Sequence, residues 1–118
     1  MIGLQILMDI PSKHRHELLQ AIEMLSNKQE NGPKCTAGCL DRSIFESMGT
    51  ANRFIWMEKW TDLESLEVYM NTDRFEALLG AIQVLGKLDA IHKGELTEID
   101  QAGAWGLHQQ MLGLQRSY

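Results

Sequence analysis

Trp56, Trp60, Tyr69 and Phe75 fall within twenty residues of one another. Rings at that density can wall a slot for a flat aromatic ligand, with the Tyr69 hydroxyl or an indole N–H as its polar handle; the same rings can equally fill a hydrophobic core. Glu58 shares the period-two face of Trp56 and Trp60. If that face is buried, the carboxylate requires a hydrogen-bonding partner or an elevated pKa. Arg42, on the preceding extended segment, is the candidate partner. Tyr69 and Glu58 are thus the candidate catalytic groups, and Trp56, Trp60, Phe75 and Arg42 the candidate substrate-binding groups.

Other reactive residue types are sparse and poorly spaced. Cys35 and Cys39 form C-x3-C with no second pair, whereas zinc takes four ligands. On an extended strand the two would point the same way but lie roughly 13 Å apart, too far for a disulfide. Small apolar packing or a reactive thiol are the roles left to them. His14 and His16 are two residues apart on a helix start and do not face each other, and His92 and His108 stand alone. No metal site is expected. Neither G-x-G-x-x-G nor G-x-S-x-G occurs, so nucleotide and serine-triad chemistries have no foothold.

These groups belong to a chain of 118 residues with 11 Lys and Arg and 16 Asp and Glu side chains, a net charge of −5. That length suits one domain, expected over residues 1–100, with 101–118 as an extension that is either a short docked helix or a frayed tail. The acidic balance argues against a nucleic-acid partner and against a polybasic membrane anchor. No apolar run approaches the roughly 20 residues of a membrane span. Asp9 and the lack of a basic leader argue against a signal peptide, so a cytoplasmic location is expected.

Ile2, Leu4, Ile6, Met8 and Ile10 alternate, predicting a first strand. Pro11 suits a first helical position, and Leu18, Ile22 and Leu25 give a helical stripe from Lys13 to about Glu30, stopped by Asn31-Gly32-Pro33. A second strand is expected within Cys35 to Glu46, with Gly38 as a bulge position. A loop at 48–52 follows, with Gly49 and Asn52 as its turn residues. Arg53 to Trp60 is the third strand. Its two faces are both apolar, since Ile55 and Met57 oppose the Trp face, so the sheet must be covered on both sides. The chain's own helices cover one side, and a second copy is the natural cover for the other. Thr61 and Glu64 predict a capping box for the next helix. Thr72 predicts a fresh N-cap after a break near Asn71, and Gly86 ends the helical region. A fourth strand is expected near His92 to Ile99.

The order β-α-β-β-α-β is that of the ferredoxin-like fold, an α+β architecture with a four-stranded antiparallel sheet and both helices on one face. Three stretches resemble the antibiotic biosynthesis monooxygenase family: Asn31 to Cys39, Asn52 through Trp60 to Leu66, and Thr72 to Leu79. The resemblance spans roughly residues 2–100. It implies a ferredoxin-like protomer pairing its sheets into a dimeric α/β barrel. It also implies a cofactor-independent monooxygenase acting on a quinol or phenolic aromatic, the substrate itself reducing O2, with a non-catalytic ligand-binding or interaction dimer as the alternative. No cofactor is expected. Where many family oxygenases carry a helix His, this chain has Tyr69, a hydrogen-bonding group with a pKa near 10 and so a poor base at neutral pH. The haem-degrading relatives' helix Trp and His fall at Tyr69 and Leu79. Leu79 cannot ligate iron, which excludes that activity.

Overall fold

The computed structural model describes residues 1–27 and 38–99. Strand β1 runs Ile2–Asp9, and a 3-10 turn at Ser12–His14 leads into helix α1, Arg15–Asn27. Strands β2, Cys39–Glu46, and β3, Arg53–Trp60, form a hairpin with β2 at the sheet edge. Helices α2, Leu63–Met70, and α3, Asp73–Leu85, precede strand β4, Lys87–Glu95. The sheet order is β2-β3-β1-β4, antiparallel throughout, which is the ferredoxin-like arrangement.

Alternation decides which residues meet. Ile2, Leu4, Ile6 and Met8 stand opposite Trp60, Glu58, Trp56 and Phe54 in register, and all eight are buried. They face Leu18 and Ile22 of α1, Leu66 and Tyr69 of α2, and Phe75, Leu78 and Ile82 of α3. Each large apolar side chain removed from water in this way contributes about 1.5–3 kcal/mol before entropy is counted. The intervening residues Leu7, Ile55 and Met57 point to the opposite face and are only half-buried. Phe45, which pairs with Ile55, remains 52% exposed. Among the described residues no helix lies over that second face.

Four local expectations are corrected. Strand β4 begins at Lys87, five residues before the expected start at His92. Gly86 alone joins it to α3, and a Cβ there would collide with the Asp9 carbonyl oxygen, so only glycine allows the helix to pass so close to β1. Helix α2 is capped by Asp62, whose carboxylate accepts from the Ser65 amide at 2.7 Å; the Thr61 hydroxyl instead donates to Asp62 at 3.0 Å. Asp62 wins because an ionised carboxylate at a helix N-terminus is a stronger acceptor than a hydroxyl. Pro11 lies just outside the 3-10 turn with extended backbone, so it is not a first helical residue. Gly38 precedes β2 in a left-handed conformation, φ +94°, and the irregularity falls between Cys39 and Asp41. In the hairpin loop Asn52 adopts φ +64°, as its turn role requires. The helix break after Met70 and the Thr72 cap are as expected. The stop at 31–33, Cys35 and the extension at 101–118 lie outside the described residues.

Candidate functional site

The register of the β2–β3 hairpin builds the polar heart of the covered face. Arg42 and Glu58 are direct cross-strand partners, and Trp56 and Trp60 flank Glu58 at i−2 and i+2 on the same face. Arg42 Nε donates to Glu58 Oε2 at 3.0 Å, Trp56 Nε1 donates to the same oxygen at 3.0 Å, and Trp60 Nε1 donates to Oε1 at 3.1 Å. One fully buried carboxylate thereby accepts from two indoles and from the Nε of a guanidinium. An ionised acceptor makes each of these bonds stronger than a neutral one would be.

Tyr69 closes the cluster from α2. Its ring lies 4.9 Å from Trp60, tilted by 31°, and 5.3 Å from Phe75 in an edge-on arrangement. The Arg42 guanidinium carbon sits 4.8 Å from the Tyr69 centroid and 5.9 Å from that of Trp60, a cation over two π faces. The α2–α3 break fixes the tyrosine: the Thr72 hydroxyl donates to the Tyr69 carbonyl at 2.6 Å and accepts from the Phe75 amide at 3.3 Å. Thr72 therefore anchors two of the three stacked rings. The sequence shows it as a cap and hides this second role, which depends on the backbone turning at Asn71.

Burial pushes the Tyr69 hydroxyl above its usual range, and the Glu58 charge pushes it further, while the Arg42 charge opposes both. Tyr69 stays a protonated phenol at neutral pH. It can donate a hydrogen bond, and it does not serve as a base.

All six sequence-derived candidates, Arg42, Trp56, Glu58, Trp60, Tyr69 and Phe75, thus lie in one continuous cluster. Cys39 packs half-buried at its edge. Among the described residues no group of three or more His, Cys, Asp or Glu is placed to hold a metal. The His14 ring contacts Glu17 at 3.1 Å on the surface. Among the described residues no helix is long and apolar enough to cross a membrane.

Surface clefts open elsewhere. One of about 440 Å3 is lined by Met1, Ile2, Thr61, Leu63, Lys93 and Glu95, among others, at the end of the sheet where β1 begins and β3 and β4 finish. Two more, of about 290 and 490 Å3, border Leu96. None of the six candidates lines these three. Their walls join residues far apart in sequence, and no local spacing could have announced them.

The comparisons with known proteins bear on the fold and the family. The profile of the antibiotic biosynthesis monooxygenase family matches residues 1–80. A Deinococcus radiodurans structure provisionally described as such a monooxygenase superposes with TM-score 0.69 at 17% identity, covering 86% of this chain and 97% of its own. One from Caulobacter crescentus with the same description gives 0.69 at 18%, covering 82% and 90%. A Bacteroides thetaiotaomicron protein described as a possible oxidoreductase gives 0.65 at 24%, covering 80% and 96%. At these identities the structures speak for the fold alone. No curated protein matches the chain. By the match across its first eighty residues, the chain belongs to the antibiotic biosynthesis monooxygenase family.

Proposed function

We propose that this chain is a homodimeric, cofactor-independent monooxygenase of a phenolic or quinol aromatic. The observation that carries the reading is the donor set around Tyr69: a phenol kept protonated, beside a guanidinium, between aromatic walls. Such a site offers hydrogen-bond donation and a dry surround; its one carboxylate, Glu58, is held by Arg42 and both indoles and is not free to act as the base. It suits a substrate that supplies the reactivity itself, an electron-rich phenol whose developing oxyanion is stabilised by fixed donors. For a phenol with a free para position the sum is phenol plus O2 giving quinone plus water. One oxygen atom becomes the new carbonyl. The other leaves as water, with the hydrogens of the phenol O–H and the para C–H. The electrons come from the ring. In this reading Trp56, Trp60 and Phe75 hold the ring plane, Glu58 orients Arg42 and both indoles, and Tyr69 donates to the substrate oxygen.

The second copy covers the open sheet face. Leu7, Phe45, Ile55 and Met57 form an apolar band there that a lone protomer leaves wet. Apposed sheets would form the barrel that the resemblance implies.

Oxygen uptake with a panel of hydroquinones and naphthols, measured for wild type and Tyr69→Phe, tests the proposal. Wild type should consume O2 with at least one of them, and loss of one donor should slow it roughly 10²-fold. No uptake with any member, or equal rates for the two proteins, would sink it. A second reading, a non-catalytic binding dimer, is favoured by the three clefts, which stand apart from Tyr69 and face solvent. Under that reading ligands would bind at the strand ends with no turnover.

A further inference from the structure

The open sheet face is not uniform along the strands. Its apolar band, Phe45, Ile55 and Leu7 in one cross-strand row, lies toward the Asp9 end. About 13 Å away, four residues along β1, the row contains Gly3, Lys59 and Asp41. Here the chain leaving β4 turns onto the sheet. The Leu96 amide donates to the Met1 carbonyl at 2.8 Å, and the Leu96 side chain fills the space above Gly3, where a Cβ would stand 2.7 Å from Leu96 Cδ1. Glycine at position 3 makes a socket, and Leu96 is its plug.

Beyond the plug, Leu96, Thr97 and Glu98 line a cleft of about 490 Å3 together with Leu40, Asp41 and Lys59 of β2 and β3. Leu40 is 55% exposed in it. The described chain reaches Ile99 at this cleft, and residues 100–118 follow. Their composition is not that of a solvated tail: Asp100, His108 and Arg116 are their only acidic or basic residues, against Trp105, Leu107, Met111, Leu112, Leu114 and Tyr118. Leu107, Met111 and Leu114 recur at i, i+4 and i+7, one apolar face of a helix.

We infer that residues 100–118 dock on their own protomer's sheet, in the cleft between Leu40 and Leu96, with Trp105 and the Leu107–Met111–Leu114 face supplying the contact. The handover at Leu96 starts the segment on this surface, so docking within the protomer costs little additional loop entropy. The Phe45 band, at the other end of the face, stays available to a second copy. The inference is independent of the oxygenase reading.

Acrylamide quenching of the full-length protein tests it, with Trp105→Phe subtracted from wild type to isolate Trp105. Docking predicts that Trp105 is quenched several-fold more slowly than free indole. The protection should persist on dilution to nanomolar protein and in a Phe45→Asp variant that breaks sheet pairing. Leu40→Glu places charge in the cleft at an exposed position, Leu96→Glu pulls the plug from above Gly3, and each should return Trp105 to the free rate. A Trp105 quenched like free indole overturns the inference. Protection that vanishes on dilution overturns it in favour of docking between copies, and protection indifferent to both Glu variants overturns the location.

Discussion

Two arginine–carboxylate pairs lie on opposite faces of one sheet. On the covered face Arg42 Nε meets Glu58 at 3.0 Å with side chains 10% and 0% exposed. On the open face Arg53 Nε meets Asp9 at 2.9 Å with side chains 25% and 36% exposed. The bond is nearly identical and the consequences are not. The covered pair has traded water for two indole donors and two π faces, so each partner is committed to the others. The open pair can fall back on solvent, and Arg53 spreads its charge to Asp89 as well, at 3.1 Å. Environment, not geometry, sets what each pair is for: one fixes a core, the other tidies a surface.

The largest effect that would sharpen this contrast is Glu58→Ala. It removes the acceptor of three buried donors and should cost about 3–5 kcal/mol in urea unfolding. Asp9→Ala should cost well under about 1 kcal/mol. Equal losses at the two sites would break the comparison. Next comes Gly86→Ala, where a methyl group meets the Asp9 carbonyl oxygen and Ile10 on the covered side; about 1–3 kcal/mol is expected. A neutral result would mean that the α3–β4 junction yields more readily than its spacing suggests.

Smaller still for the protomer is Phe45→Asp. As a change at an exposed position it should leave unfolding within about 0.5 kcal/mol, yet halve the mass seen by light scattering at micromolar protein. An unchanged mass would remove the second copy from this face.

The two faces also differ in how well the sequence announced them. The covered face was legible because β1 and β3 alternate strictly, and because Trp-x-Glu-x-Trp can place its carboxylate between two indoles only on a strand. The pairing with Arg42 needed the register, which lies in a hairpin whose first strand carries an irregularity after Cys39. Strand β4 was misplaced for a related reason. It is an edge strand, exposed along nearly its whole length, and Asp89 is an extra residue between the pairs Leu7–Ala90 and Met8–Leu88, which breaks the alternation. The same bulge accompanies the reach of Asp89 to Arg53. Where burial constrains both partners, pattern betrays structure; at an exposed edge it does not.

The subtlest test separates the faces by pH. Hydrogen bonding from Arg53 holds the Asp9 carboxyl below its usual value despite an opposing desolvation, and the Ser65 amide does the same for the Asp62 cap. A group whose pKa is lowered by folding stabilises the native state above its unfolded pKa, and the benefit drains away as pH falls through the folded value. The acid limb, below about pH 4, should therefore flatten in an Asp9→Asn variant that leaves the Asp62 cap, on the covered side with α2, in place. Tyr69 has the opposite sign. Burial raises its pKa, so its contribution is complete below the unfolded tyrosine value near 10 and declines as pH climbs beyond it. Tyr69→Phe should flatten the alkaline limb and leave the acid limb alone. If the Asn variant altered the alkaline limb, or the Phe variant the acid one, the faces would be coupled through the sheet, and a carboxylate on one side would be sensing charge on the other.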